Sequence, residues 1–460
     1  MIFDTLKLLI ISNNFLINFL YLNLYCKILS KNIEFYNDER FKIIKYASNN
    51  LCNLNVNYLK IIQSLCLQKD FLNKQEQEYL LKYTNNVPYN CKDVNYEIIN
   101  YLKNENITFE NIKPINSGVS ALVYKGKYND KNVAIKILKK NAEIDMFNCL
   151  NVIETLVYFT SLLPYIKNFN LQSVFKLNKK IMLEQLDFII EKNNLLQFIE
   201  SYQNYDYINI PKLYILNNET HKFNNKYIIL DYIDGFTIQN LVNFKNYKLN
   251  EIFGEKILKF GLLSIIMTSC IHCDLHPGNF ILNIKDISNS KILNNNEIET
   301  IFSTENIDYD NFEYILNIID FGLAIFPNQD TQEIYYEYFN KIFVENDYIN
   351  GTQYTLNNLI ENLDGSKSEY SDTFKHAEQE LYNLFIKYHY RDYDLEIFYN
   401  INKIINKYGF KFKDDMLKIQ ISLAVSCHMT KNLLGENGIN KTTKKMMGEL
   451  FSLKKLISFD

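Results

Sequence analysis

The sequence predicts an α+β fold of two lobes behind a helical extension. Three observations predict it. Residues 1 to about 105 repeat apolar side chains at three- and four-residue spacing and contain no glycine. From Ile112 to Leu138 the texture changes to short β-branched and apolar runs broken by turn residues, Asn129 to Asn132 among them, which reads as strand, loop, strand, turn, strand. From Ile238 onward the helical spacing returns and dominates to the C-terminus.

The 460 residues are enough for two or three packed lobes. The changes of texture divide them into a helical extension over 1–105, a sheet-rich lobe over 106–236 with inserted helices at 141–200, and a helical lobe over 237–460. Ile208 to Ile233 reads as strands, with Tyr227 to Leu230 as a buried one. A polar, Asn-rich stretch over 285–316 reads as a surface insertion, disordered in part. The sequence shows no internal repeat.

A net charge of −4 gives no basic excess, so nucleic acid is not an expected partner. Gly and Pro are scarce, while Asn, Lys, Ile and Tyr are abundant, a bias of AT-rich coding that makes asparagine weak evidence for turns. Eight irregularly spaced cysteines suit an intracellular, reducing compartment rather than a disulfide framework. Cys270 and Cys273 form one C-x-x-C. No second pair completes a zinc site, so the spacing is read as coincidence.

Leu8 to Cys26 is an uncharged, mostly apolar run of nearly membrane-spanning length, interrupted by Ser12, Asn13, Asn14, Asn18 and Asn23. No small-residue cleavage site follows it. It reads as a buried or membrane-surface helix within residues 1–30 rather than a true span, which makes a membrane surface or lipid a candidate partner. Oligomeric state is not legible.

Five motifs carry the chemistry. In the loop Ile115 to Gly126, small residues at Ser117, Gly118, Ser120 and Ala121, with Val119 between them, let backbone N–H groups approach phosphates. Val123, on the strand that follows, is placed to cover an adenine. Alone, such a loop is usually a plain hairpin. Lys136 ends the apolar run Val133 to Ile135, 18 residues after Gly118. A buried ammonium needs a partner, and a strand lysine here suits the α- and β-phosphates of a nucleotide. The alternative is an edge-strand lysine facing water. Glu191 lies on a helical stretch after Leu186, Asp187 and Phe188, where any helix glutamate could serve as its partner.

The strongest motif is His272 to Asn279, after an apolar helix read as Ile257 to Ile271 and before an apolar strand, Phe280 to Leu282. Asp274 can orient or deprotonate a hydroxyl, and Asn279, five residues on, can reach a Mg²⁺. Pro277 and Gly278 supply the turn between them. An H-x-D-x-H metal site is the competing reading, and it leaves Asn279 unexplained. The fifth motif, Ile318 to Gly322, is an apolar strand ending in Asp320-Phe321-Gly322, which supplies a Mg²⁺ carboxylate.

In this order the elements resemble the UbiB-like atypical kinases, also called the activity-of-bc-one-complex or AarF-type family. The resemblance runs from about Tyr58 to beyond Gly322. It includes Leu186-Asp187-Phe188 with Glu191 and Asn194, Lys60 and Gln63 in the extension, and Asp70, Asn86, Val87 and Pro88 downstream of them. It implies a protein-kinase-like two-lobed fold with an extension folded over the active site, ATP and Mg²⁺ as cofactors, Glu191 as the partner of Lys136, Lys60 and Gln63 framing the nucleotide, and an association with membranes and quinone metabolism. Three positions depart from the family pattern: Gly118 and its serine neighbours replace an alanine-rich loop, Ile62 replaces a glycine, and Gln185 replaces an acidic residue. The leading expectation is therefore an ATP-dependent kinase or ATPase. A small-molecule kinase of the aminoglycoside or choline type and a non-catalytic nucleotide-gated scaffold are the alternatives.

Overall fold

The computed structural model describes residues 2–29, 33–58, 75–76, 79–80, 87–161, 171–216, 222–304, 307–363, 365–367, 371–388 and 395–457. They divide into two compact units, one of residues 1–192 with 212–232 and the other of 193–211 with 233–460.

The first unit opens with helices α1 (Ile2–Ile28), α2 (Ile33–Leu54) and α3 (Tyr96–Asn104). Its strands are β1 (Thr108–Phe109), β2 (Asn116–Ser117), β3 (Ala121–Tyr128) and β4 (Lys131–Leu138). Helices α4 (Ala142–Ser161) and α5 (Leu171–Glu184) follow, and then α6 (Phe188–Tyr202), which starts in this unit and runs on into the second from residue 193. The antiparallel order β1-β3-β4 continues into β6 (Tyr227–Asp231), and β2 pairs with β3. Asn129 and Asp130 both take positive φ, 49° and 60°, so the β3–β4 link is a two-residue turn whose twist matches the strands. Gly126 faces Phe109 across the ladder, and a Cβ there would lie 2.1 Å from the Thr108 carbonyl oxygen, so the close approach of β1 requires glycine. Val133, Ile135, Ile137 and Ile229 alternate onto one sheet face and pack with Ile98 and Leu102 of α3 and with Ile107 just after it.

Helix α1 is not the buried helix that its composition allowed. Leu8 and Leu22 are buried, but Ile10, Ile17, Leu20, Leu24 and Ile28 are each more than half exposed. Two of the asparagines that interrupt the run fold back on their own helix: Asn18 donates to the Asn14 carbonyl at 2.7 Å and Asn23 to the Phe19 carbonyl at 2.8 Å.

The second unit holds β5 (Ile208–Asn209), α7 (Ile238–Asn243), α8 (Tyr247–Leu263) and β7 (Ile271–His272). Next come β8 (Phe280–Asp286), β9 (Lys291–Ile292), α9 (Asn295–Phe302), β10 (Phe312–Ile318) and β11 (Ala324–Ile325). The remainder is α10 (Gln329–Phe339), α11 (Tyr348–Asn358), β12 (Ile360–Asn362), α12 (Asp372–Lys387), α13 (Leu395–Lys407), β13 (Phe410–Phe412) and α14 (Asp414–Ile457). One sheet has the order β5-β10-β8-β9, while β7 pairs with β11 and β12 with β13.

These units differ from the segments 1–105, 106–236 and 237–460. Residues 193–211 group with the second unit because β5 pairs in parallel with β10, Leu316 opposite Ile208. Residues 233–236 do so because Phe236 bridges Leu282. The stretch 285–316 is built of regular elements over its described residues rather than irregular chain: Asn294 and Glu297 form a capping box at the start of α9, and Ile298 and Phe302 are buried. The helix read as continuing to Ile271 ends sooner. It gives way to a π turn at Ser264–Thr268, and Ser269 then takes the left-handed conformation at φ 50°.

Candidate functional site

The residues singled out in the sequence fall in both units. In the first, Lys136 lies on β4 between Val123 of β3 and Ile228 of β6. Its Nζ donates to both carboxylate oxygens of Glu191, at 2.7 and 2.9 Å. The two side chains are 18% and 6% exposed, so the pair is a charge contact shielded from water rather than a surface bridge. The Phe188 ring lies 5.4 Å from the same ammonium. Asp187 caps the first turn of α6 by accepting the Ile189 N–H at 3.0 Å, which orients the helix that carries Glu191.

The loop between β2 and β3 turns tightly, with the Gly118 N–H donating to the Ala121 carbonyl at 2.9 Å. The Ser120 carbonyl accepts the Lys139 N–H at 2.9 Å, and the Ser117 carbonyl accepts the Val87 N–H at 2.7 Å. Ser117 and Ala121 are buried; Gly118, Val119, Ser120 and Val123 are partly exposed. The main-chain N–H groups of Val119 and Ser120 find no acceptor among the described residues, which is the condition for donating to an anion. The sequence places Val87 in the resemblance with Asn86 and Pro88, but gives it no role as a support of this loop. Lys60 and Gln63 lie outside the described residues.

In the second unit the acidic motif is organised around His272, which is fully buried. Its Nε2–H donates to the Asp320 carbonyl at 2.6 Å, and its Nδ1 accepts the Asp274 N–H at 3.1 Å. Each ring nitrogen therefore has one role, and the network assigns the neutral Nε2–H tautomer. Burial holds the imidazole below its ordinary pKa. With both nitrogens engaged by main chain, His272 is not available as a metal ligand, which removes the H-x-D-x-H reading.

Asn279 Nδ2 donates to the Asp274 carbonyl at 2.7 Å, and the Asn279 carbonyl accepts the Ile319 N–H at 3.1 Å. The first bond uses the amide nitrogen and not the amide oxygen of Asn279. His276 caps the intervening 3₁₀ turn by accepting the Gly278 N–H at 3.1 Å. Asp320 accepts the Gly322 N–H on Oδ1 at 3.0 Å, and Asn194 donates to the Phe321 carbonyl at 2.8 Å. Phe321 is buried against Phe198, ring centres 5.2 Å apart. One amide oxygen and one carboxylate, brought together by main-chain bonds, are the hard oxygen donors that suit Mg²⁺, which commonly takes few protein ligands and completes its shell with phosphate and water.

Cys270 and Cys273 are buried, and burial pushes both thiols up to about 12. Thiols that resist ionisation are poor nucleophiles and poor metal ligands, in keeping with a coincidental C-x-x-C.

A family model described as the ABC1 atypical kinase-like domain matches residues 100–355, more than half of the chain. That range contains every site residue named above except Lys60, Gln63 and Val87. The chain is 24% identical over 172 residues to a probable protein kinase UbiB of Blochmanniella pennsylvanica, which covers 36% of this chain and 30% of that protein. It is 23% identical over 275 residues to AarF domain-containing kinase 1 of Drosophila melanogaster, 56% of this chain and 51% of that one. The chain thus spans about half or less of the length of these curated relatives. A solved structure of an Rv3197–erythromycin complex from Mycobacterium tuberculosis aligns with 85% of this chain and 97% of its own, at 14% identity and a TM-score of 0.43.

Proposed function

The chain belongs to the ABC1 atypical kinase-like family, and on that premise we propose that it is an ATP- and Mg²⁺-dependent phosphoryl-transfer enzyme, an atypical kinase or ATPase. One observation carries the reading: the Asp274 and Asp320 backbones are held by hydrogen bonds to the side chains of a neutral His272 and, at Asp274, of Asn279. An acid–base group and two oxygen donors held this way need little reorganisation when the reaction begins.

In this reading the Asp274 carboxylate orients the acceptor hydroxyl or water and takes its proton. Asn279 and Asp320 present oxygens to Mg²⁺, which when bound offsets phosphate charge. Lys136, aligned by Glu191, meets the α- and β-phosphates, and the Val119 and Ser120 N–H groups cover them. Ala121 and Val123 are the neighbours that would line the nucleotide's apolar side. Lys60 and Gln63 are assigned to the nucleotide by resemblance alone.

The acceptor follows from what comes after Gly322. The chain enters β11 at Ala324 and α10 at Gln329, with no room for a long peptide-docking segment. Water or a small or lipid-borne hydroxyl is therefore favoured over a protein side chain. The apolar side chains along the exposed face of α1 favour a lipid surface as the place of work, in line with the mitochondrial and chloroplastic names of several relatives.

The test is Mg²⁺-dependent ATP turnover by the full chain, with and without anionic vesicles, against Asp274→Asn and Asp320→Asn. Loss of an electrostatic group of this kind should lower turnover by about 100-fold or more. The reading fails if ATP gives no thermal shift and the variants turn over as wild type does. Flotation with vesicles, lost on deleting residues 1–30, tests the lipid contact.

A further inference from the structure

Helix α8 leads to the Asp274 loop through an awkward passage. Its last turns widen into the π turn Ser264–Thr268, and Ser269 follows at φ 50°, ψ 28°. Left-handed backbone is costly for a residue with a Cβ, and such strain persists only where the surroundings over-determine it. The carbonyls at this helix end also lack a following turn to accept from.

Two side chains of α14 meet the passage at its two ends. Ser422 Oγ donates to the His272 carbonyl at 2.6 Å, in a fully buried contact. Lys454 Nζ donates to the Ile266 carbonyl, inside the π turn, at 2.6 Å. A cation at a helix C-terminus also complements the helix dipole. Lys454 is itself placed by Tyr336, whose ring lies 4.9 Å from the ammonium and stacks on Phe451 at 4.7 Å. The two anchors belong to different arms of α14, because Gly435, at φ 74°, breaks the helix between them. The first arm is pressed close to α8: a Cβ at Gly261 would lie 2.8 Å from Ser426 Oγ, and Thr430 donates to the Gly254 carbonyl at 3.2 Å.

We infer that α14 holds the strained passage from both ends, with Ser422 and Lys454 as positioning residues for Asp274. Ser422 fixes the carbonyl of the histidine that receives the Asp274 N–H. Lys454 fixes the π turn from which that histidine is delivered. The inference rests on the proposed function for its kinetic consequence, though not for its structural one.

The experiment uses the full chain as Ser422→Ala, Lys454→Met and Lys454→Arg, with Lys445→Met on the same helix as a control. Misplacing Asp274 should lower kcat for ATP turnover by about tenfold in Ser422→Ala and Lys454→Met, with KM for ATP changed less than about twofold. Lys454→Arg retains a donor and should recover most of kcat. Amide hydrogen exchange over residues 269–274 should quicken in the two damaging variants and not in the control. The inference is overturned if folded Ser422→Ala and Lys454→Met keep wild-type exchange there, or if kcat and KM move together without rescue by arginine. A wild-type chain that does not turn over ATP would sink the proposed function instead, and the exchange measurement would still decide the role of α14.

Discussion

In the second unit, Asp274, Asn279 and Asp320 sit on loops whose main chain is bonded to itself and to a buried histidine. In the first, Lys136 forms an ion pair with a carboxylate on another element, Glu191. The first kind of construction distributes its stability over many neutral hydrogen bonds, each worth about 1 kcal/mol. The second concentrates it in two charges that depend on each other. Damage should therefore be graded and local in the acidic loops, and abrupt at the lysine–glutamate pair.

The largest effect should come from removing one charge of that pair. Lys136→Met takes the Lys136 ammonium away from the Glu191 carboxylate, which is 6% exposed, at a cost of about 3–5 kcal/mol. Glu191→Gln leaves the more exposed partner charged and keeps a hydrogen-bond acceptor, so it should cost about 1–2 kcal/mol. Urea unfolding of the two single variants and of the double variant measures this. Additive losses would show that the pair is not coupled and would remove the contrast between the units.

A smaller effect is expected at His272. His272→Phe keeps an aromatic ring beside Phe198 and Phe321 but removes the imidazole's two bonds, to the Asp274 N–H and to the Asp320 carbonyl, at about 1–3 kcal/mol. The histidine also predicts a pH dependence. Its pKa is lowered in the folded chain from an ordinary 6.5, so below that pH the unfolded chain binds a proton that the folded chain refuses. Stability is then full above 6.5 and falls as pH drops below it. Thermal unfolding between pH 7.5 and 5.5 should show this decline in wild type and a weaker one in His272→Phe. An equal decline in both would assign it to other groups.

The two constructions also explain what the sequence could and could not reveal. The acidic motif was legible because its chemistry and its turn residues are contiguous: Asp274, Pro277, Gly278 and Asn279 lie within one loop. The strand lysine was legible from one charge in an apolar run. Its pairing was not, because Lys136 and Glu191 are 55 residues apart and only a resemblance chose among helix glutamates. Burial also escaped the pattern. Helix α1 has the composition of a buried helix, yet much of its apolar surface is open. The end of α8 is hidden in the sequence because Ile265, Ile266 and Ile271 continue the apolar spacing, while the stop lies in the backbone of Ser269, a residue with no local signature of left-handed geometry. The asparagines of 285–316, discounted as compositional bias, include a working helix cap at Asn294.

The smallest effect concerns the nucleotide loop, where the sequence departs from the alanine-rich pattern it resembles. Gly118 lies outside the left-handed region, and a Cβ added there would have the Ala121 carbonyl oxygen as its nearest neighbour, at an ordinary 3.6 Å. Among the described residues, then, nothing steric demands glycine. Gly118→Ala should leave the Gly118–Ala121 turn intact and stabilise the chain by about 0.4–1 kcal/mol, by restricting the unfolded state. The groups proposed to meet phosphate are main-chain N–H groups at Val119 and Ser120, which the substitution does not remove, so the ATP-induced thermal shift should be retained. A variant that is stabilised yet loses the ATP shift would mean that the loop must flex to receive the nucleotide. The pre-formed character ascribed to the acidic loops would then not extend to the first unit, and the contrast between the two constructions would be wider than the hydrogen bonds alone suggest.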